Sequence, residues 1–454
     1  MKSSSIESNG RDSLEQLKTK LQQGDTIIGI IGLGYVGLPL AVEFAKKFKV
    51  IGFDVDRHAI STLDSGRSHI LDVPDKDIAD ILNISFFPTY EPEKLSECDF
   101  FIICVPTPLR RDKIPDLSYI VSSCRTISSI LRNEQFVILE STTYPGTTEE
   151  VVIPLLEESG LKAGKEFGVA YSPERIDPGN KDHPVREVPK VVGGINKECG
   201  IIAESLYETI IESVIRVSDT KTAESVKMVE NIFRNVNIAL ANEMALIFER
   251  MGINTWEVID AASTKPYGFM PFYPGPGIGG HCIPLDPYYM SYKAKKYGLI
   301  PRFIENSGEI NEFMQMHVVN LVEQGLNKSG RTIRGSKISI FGLAYKKNIN
   351  DTRESPSIPI IAELLRTGAE LQLHDPFVRS IDINSTMITA NKSMQEPLSG
   401  TDCALFLTDH DLYRSQESLD MMKKFNPPVV IDCKNIFREN VGRIYIGLGK
   451  ANNK

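Results

Sequence analysis

The stretch GPGIGGHCIPLDP, residues 275–287, puts a thiol where packing gives no obvious reason for one. Its four glycines and three prolines exclude a helix interior or a central strand, so Cys282 reads as a reactive group rather than core filling. One chemistry that needs such a thiol is the second half of an alcohol-to-acid oxidation. A hydride acceptor takes an alcohol to the aldehyde and stops, because the next hydride must leave a tetrahedral carbon. Attack by a thiolate restores that carbon as a thiohemiacetal, loss of a second hydride gives a thioester, and water releases the carboxylate. Loop glycines would let the sulfur approach a substrate closely, and a neighbouring cation would favour the thiolate. His281 adjoins Cys282, but neighbours in extended chain point to opposite sides, so it reads as a structural or substrate-side hydrogen-bonding group.

The hydride acceptor has its own signature. TIIGIIGLGYVGLPLAVEFAKKFKVIGFDVD reads as an apolar strand at Ile27–Ile31, a glycine turn, a helix from about Tyr35 to Phe48 and a second strand ending at Asp54. Gly32, Gly34 and Gly37 stand in G-x-G-x-x-G spacing with Tyr35 and Val36 between the last two, which brings backbone up to a pyrophosphate at a helix N-terminus. Asp54 falls where an acid meets ribose hydroxyls and would repel a 2′-phosphate, so NAD is favoured over NADP. Arg57 either softens that preference or is a solvated charge. Three later segments, DFFIICVPTP, QFVILESTTYPGTT and FGVAYSPERIDPGN, also run from apolar to polar, the rhythm of a doubly wound parallel sheet. Ligands of such sheets lie beyond the strand C-termini, which puts Thr107, Thr142 and Glu174 at the ligand edge. For the two threonines, turn or capping duty is an equal reading.

These elements need a frame. In DTKTAESVKMVENIFRNVNIALANEMALIFERMG, the residues Val226, Val229, Phe233, Val236, Leu240, Met244, Ile247 and Met251 recur at three- and four-residue steps, predicting one helix of about 30 residues with an apolar stripe. Such a helix can serve as an interdomain spine and a dimer contact. Lys227 and Asn231 share a face of it, which by residue type alone is more simply a solvated face. After a second helical region near 305–326, KISIFGLAYKKNINDTRESPSIPIIAELLRTGAELQLHDP restarts a strand, turn, helix, strand unit, and CALFLTD and VVIDCKN supply later strands. Its turn lacks the glycine triplet, so no second dinucleotide is expected. Lys346, Lys347 and Arg353 form a basic edge for a phosphate-bearing ligand or an ordinary charged loop.

Composition bounds the alternatives. A chain of 454 residues, 41% hydrophobic, is long enough for two or three domains. The net charge of -8 argues against nucleic acid or an anionic membrane as partner. Seven cysteines without a C-x-x-C pair give neither a zinc site nor a disulfide framework and fit a reducing compartment, and no metal site is expected. The polar start lacks the apolar stretch of a signal peptide, and no later run could span a bilayer, so a cytoplasmic protein is expected.

The order GLGYVGLP, VPTP, ESTTYPGTT, SPERIDPGN, KMVENIFRNVNIALANE, GPGIGGHCIPLDP and KISIFGLAYKKNINDTRESP resembles the UDP-glucose/GDP-mannose dehydrogenase family over nearly the whole chain after about residue 25. The resemblance implies oxidation of a nucleotide-sugar 6-hydroxyl to the uronic acid with two NAD and one water. It implies an α/β fold of two Rossmann-like doubly wound domains joined by a long central helix that mediates homodimerisation. The boundaries expected are a polar N-terminal extension over 1–24, an NAD-binding domain over 25–215, a central helical domain with the cysteine loop over 216–328 and a UDP-sugar-binding domain over 329–454. By the same resemblance Cys282 is the nucleophile, and Asp286 assists water or proton transfers. Lys227 and Asn231 stabilise the developing alkoxide and orient substrate or water, against the plainer reading above, and Glu174 is the base for thioester hydrolysis. Arg353 reaches the cofactor pyrophosphate, Lys346 faces the substrate, and Thr107, Thr142 and Glu140 lie in motifs that line the cofactor.

SPERIDPGN and TKPYGFMPFYPGPGIGGHC resemble the branch acting on UDP-N-acetylhexosamines. Arg175 and Ile176 stand where UDP-glucose enzymes carry phenylalanine and leucine, which implies a different sugar-facing contact. Arg175, Phe272, Tyr273, Gly279 and Lys346 are the expected substrate contacts, and the expected substrate is UDP-N-acetylglucosamine or its manno or galacto epimer. The rivals are a UDP-glucose 6-dehydrogenase, a two-electron dehydrogenase of the hydroxy-acid kind, which needs no loop thiol, and a non-catalytic NAD and nucleotide-sugar sensor.

Overall fold

The structure, a computed structural model, describes residues 16–70, 72–110, 112–175, 185–280 and 282–451; His281 and Ile176 lie outside the described residues. The chain divides into two compact units, Met1–Glu230 with Tyr288–Tyr297, and Asn231–Pro287 with Gly298–Lys454.

In the first unit the apolar runs IIGII, FFII and FVIL form strands β1 (Ile27–Ile31), β4 (Phe100–Ile103) and β5 (Phe136–Leu139). They are almost wholly buried, as expected of central parallel strands covered on both faces. With β2 (Lys49–Phe53), β3 (Phe86–Thr89), β6 (Gly168–Tyr171), β7 (Lys190–Gly194) and β8 (Val214–Arg216) they make an eight-stranded sheet ordered β3-β2-β1-β4-β5-β6-β7-β8. Only the β6–β7 pairing is antiparallel. Strand order reverses between β1 and β4, the switch point where sheets of this kind bind ligands. One expectation is corrected here. Residues 16–23 are not polar extension but a helix, and Leu17 and Leu21 are buried in the core against which the sheet packs. Its Lys20 pairs with Asp99, whose other carboxylate oxygen accepts the Ile27 N–H at the start of β1.

The second unit holds β9 (Lys337–Phe341), β10 (Glu370–His374), a β11–β12 hairpin (Ser380–Ile383, Thr386–Thr389), β13 (Cys403–Phe406), β14 (Val429–Asp432) and β15 (Ile444–Gly447). Five of these form a parallel sheet ordered β10-β9-β13-β14-β15. Its acid at the end of the second strand, Asp375, is 1% exposed and is consumed internally. Its carboxylate accepts the N–H groups of Leu343, Ala344, Phe377 and Val378 and lies 3.0 Å from His410 Nε2. An acid tied in this way staples a turn and has no capacity for ribose.

The long helix runs Thr220–Met251, 32 residues. Its buried side is not the apolar stripe: Lys227, Asn231, Asn235 and Asn242 are buried with small residues such as Ala223, Ala239 and Ala245. Val229, Phe233, Leu240, Ile247 and Met251 are 41–62% exposed. The amide-bearing face is claimed by loop backbone that needs hydrogen-bond partners, which leaves the apolar face outward.

Candidate active site

The three glycines of the first turn have separate duties. Gly32 has φ +92°, and a Cβ there would lie 2.8 Å from the Cys104 carbonyl oxygen, so it permits the tight turn. A Cβ on Gly37 would lie 1.8 Å from the Gly32 oxygen, so it permits the helix to pack on the strand. A Cβ on Gly34 would meet nothing within 4 Å: the space before it is open, as a cradle for pyrophosphate requires. Asp54 accepts the Leu33 N–H at 2.8 Å and the Asp56 N–H at 2.9 Å, which fixes its carboxylate at the end of β2. Arg57 lies over the Tyr90 ring at 4.6 Å. These residues fit NAD. Nearby, the Thr107 carbonyl accepts the Tyr289 hydroxyl, and Thr142 is half-buried.

Glu174, 8% exposed, follows β6 and lies 3.8 Å from Lys190 Nζ. Lys190, also buried, pairs with Glu140 at 2.8 Å, and Tyr207 donates to the other Glu140 oxygen. Burial pulls the Lys190 pKa down, but the two carboxylates outweigh it and raise the value, so the ammonium keeps its proton. Glu140 is thus tied into this cluster rather than turned to a ligand. Arg175 is gripped by the Pro189 carbonyl at 2.5 Å and by Glu230 at 2.7 Å.

The turn after β5 has a clamp that residue types did not reveal. Glu224, fully buried, accepts the N–H groups of Gly146 and Thr148 and the Thr148 hydroxyl at 2.5–2.8 Å. Burial pushes its carboxyl up to about 7, against those donations, which pull it down. The folded value lies above the ordinary 4.5, so the associated stability is complete below about pH 4.5 and is lost as pH rises through about 7. The wild-type chain should lose up to about 3 kcal/mol across this window and Glu224→Gln should not, read by denaturant unfolding at several pH values. Parallel pH curves for the two proteins would refute this.

The second unit holds the thiol. Six of the seven cysteines are buried and free, and burial pushes all six thiols up. Cys282 alone is exposed. Its carbonyl accepts the N–H groups of Leu285 and Asp286 at 3.2 and 2.9 Å, so the chain turns directly from the thiol into the helix Asp286–Lys296. Asp286, 3% exposed, accepts from Asn231 Nδ2 at 2.6 Å. Two residues of the expected set are therefore joined beside the thiol. Asn235, not foreseen, donates to the Ile283 carbonyl at 3.0 Å, and Asn242 accepts the Gly275 N–H at 2.9 Å. Their spacing along one helix face was the available signal.

Gly279 serves packing: a Cβ there would lie 2.5 Å from Tyr345 Cβ and 2.9 Å from the Glu354 carbonyl oxygen. The Gly280 N–H donates to the Arg353 carbonyl at 3.2 Å, while the Arg353 guanidinium is held by Asp351 at 2.6–3.0 Å. Lys346 is half-buried in the same turn. Phe272 meets Phe233 edge-on at 5.8 Å, and Tyr273 stacks on Trp256 at 5.3 Å and donates to Asp260.

Comparison with known proteins agrees with this arrangement. Three descriptions of the UDP-glucose/GDP-mannose dehydrogenase family match in succession: its NAD binding domain over residues 26–211, its central domain over 221–313 and its UDP binding domain over 339–439. The chain is 41% identical over 360 residues to a UDP-N-acetyl-D-glucosamine 6-dehydrogenase of Pseudomonas aeruginosa, covering 79% of this chain and 84% of that one. The solved structure of a UDP-D-ManNAc dehydrogenase from Pyrococcus horikoshii matches with a TM-score of 0.87 at 35% identity, over 94% of this chain and all of that one. An NDP-N-acetyl-D-galactosaminuronic acid dehydrogenase from Methanosarcina mazei matches with a TM-score of 0.82 at 31% identity, over 97% and 98% of the two chains. With a dinucleotide turn, an exposed loop thiol and all three domain patterns in order, the chain belongs to the UDP-glucose/GDP-mannose dehydrogenase family and is an NAD-dependent nucleotide-sugar dehydrogenase.

Proposed function

We propose that the chain oxidises C6 of a UDP-N-acetylhexosamine by four electrons to the UDP-N-acetylhexosaminuronate. The observation that carries this is Cys282, the single exposed cysteine, on a turn whose Asp286 is bonded to Asn231. Bound NAD supplies the hydride acceptor for each oxidation. Lys227 and Asn231 steady the alkoxide as the 6-hydroxyl gives up its proton. Cys282 then adds to the aldehyde, and loss of the second hydride leaves the thioester. Asp286 assists proton transfer, and Glu174 takes a proton from the water that cleaves the thioester, so one water and two NAD are used per uronate. The N-acetylated substrate is supported by the names of the similar proteins, which differ among themselves in the epimer. A panel of UDP-hexoses and UDP-N-acetylhexosamines should give its highest rate with an N-acetylated sugar and two NADH per sugar consumed. A ratio of one, with aldehyde or ketone as final product, would remove Cys282 from the chemistry.

The residues assigned to ligands follow the same reading. Gly32, Gly34, Tyr35, Val36, Gly37, Asp54, Arg57, Thr107, Thr142 and Arg353 serve the cofactor, and Arg175, Phe272, Tyr273, Gly279 and Lys346 serve the sugar nucleotide. The domain division is NAD-binding over 25–215, central over 216–328 and UDP-sugar-binding over 329–454. The chain works in the cytoplasm, where Cys282 stays reduced; that all seven cysteines are free supports this. It forms a homodimer through the long helix, supported by the exposed stripe of Val229, Phe233, Leu240, Ile247 and Met251, which is costly to leave in water. Sedimentation at micromolar concentration should give a dimer, and a fully active monomer there would overturn this.

A further inference from the structure

We propose that Asn235 is a positioning residue for the thiol: it fixes the Cys282 turn and thereby sets the rate of the second hydride transfer. The inference rests on the role given to Cys282 above. Gly277 and Gly280, with φ of +129° and +88°, restrain the backbone before the thiol least, so outside contacts matter there. Three of those contacts are side chains of the long helix. Asn242 accepts the Gly275 N–H at one end; Asn235 donates to the Ile283 carbonyl, one residue past Cys282; Asn231 donates to Asp286 at the other end.

Asn235 is itself oriented. The Ile283 carbonyl can only accept, so the amide turns Nδ2 to it and leaves Oδ1 to Ser307, whose Oγ lies 2.7 Å away and 2.9 Å from the Ile304 carbonyl. Asn311 Nδ2 reaches the Asn235 carbonyl at 3.3 Å, and Asn311 Oδ1 accepts from Asn242 Nδ2 at 2.9 Å, so the amides form one connected set. Asn235, Asn242, Ser307 and Asn311 are all at most 5% exposed. A buried amide bonded at both its nitrogen and its oxygen has one low-energy orientation, and the loop backbone inherits it.

The thiol acts only after the first hydride has left, so a displaced sulfur slows the second oxidation selectively. Misplacement of a reacting atom by about 1 Å costs up to about 100-fold. The experiment is single-turnover NADH formation with NAD and the preferred UDP-sugar, comparing the wild-type chain, Asn235→Ala, Ser307→Ala and the double variant. We expect the first NADH within twofold of the wild-type rate in Asn235→Ala and the second slowed by about 10- to 100-fold, with KM for NAD unchanged. Ser307→Ala should slow the second step in the same sense, and the double variant should be no worse than Asn235→Ala, because the serine acts through the amide. Equal slowing of both hydrides would mark general damage and overturn the proposal, as would a wild-type second step. If Asn235→Ala does not fold, Ser307→Ala, which loses one hydroxyl, carries the same two outcomes. Failure of the underlying reading is distinct: the wild-type chain itself would then yield one NADH per sugar.

Discussion

Cys282→Ala should reduce uronate formation by about 1,000-fold or more and leave NAD affinity nearly unchanged. The size of the effect follows from chemistry rather than from packing. Without the sulfur the aldehyde carbon has no route to a tetrahedral adduct on the protein, so the second hydride has no carbon to leave. The turn of Gly32, Gly34 and Gly37 and the Asp54 carboxylate, assigned to the cofactor, depend on backbone conformation in the first unit and make no use of the Cys282 side chain. The thiol is exposed and its side chain fills no core, so the variant should unfold at the wild-type temperature within a few degrees. Equilibrium titration with NAD and quantification of uronate by mass spectrometry measure the two halves. A Cys282→Ala enzyme that still makes uronate at a tenth of the normal rate would end the thioester reading.

What could be read from residue types alone depended on whether the constraint was local. The first glycine turn was legible because its three glycines, the strand before and the helix after all lie within one short segment, and two of the glycines, Gly32 and Gly37, have a steric reason to be there. The thiol was legible for a similar reason: glycine and proline density around Cys282 excludes regular structure whatever surrounds it. Helix periodicity gave about 30 residues for the helix Thr220–Met251, which has 32, but not which face turns inward. The apolar residues implied one face, and the partners of Asn235 and Asn242, 48 and 33 residues away, dictated the other. An asparagine on a helix looks like a solvated residue until the carbonyl it serves is located. The same limit hid Glu224, whose three donors lie 76 and 78 residues earlier. Gly279 shows the same limit from the other side: the reason it carries no side chain is Tyr345, 66 residues later, which occupies the space a Cβ would need.

Glu174→Gln should separate hydride transfer from hydrolysis. Glutamine keeps the shape of the side chain, and the Glu140–Lys190–Tyr207 cluster beside it keeps its own bonds, so the local fold should hold. An amide cannot accept the proton that a water must give up to attack the thioester, and general-base contributions of this kind are worth about 100- to 10,000-fold. Both hydrides should still pass. The expected trace is therefore a burst of up to two NADH per active site followed by a steady state slowed by about 100-fold or more, and the stalled sugar should be found attached to Cys282 by mass spectrometry. The attachment site is diagnostic because the other six cysteines are buried and their thiols are pushed away from the reactive thiolate form. A Glu174→Gln enzyme turning over at the wild-type rate would strip Glu174 of its role. Sugar found on any other cysteine would do more, for it would mean that the exposed thiol on the glycine loop is not the nucleophile.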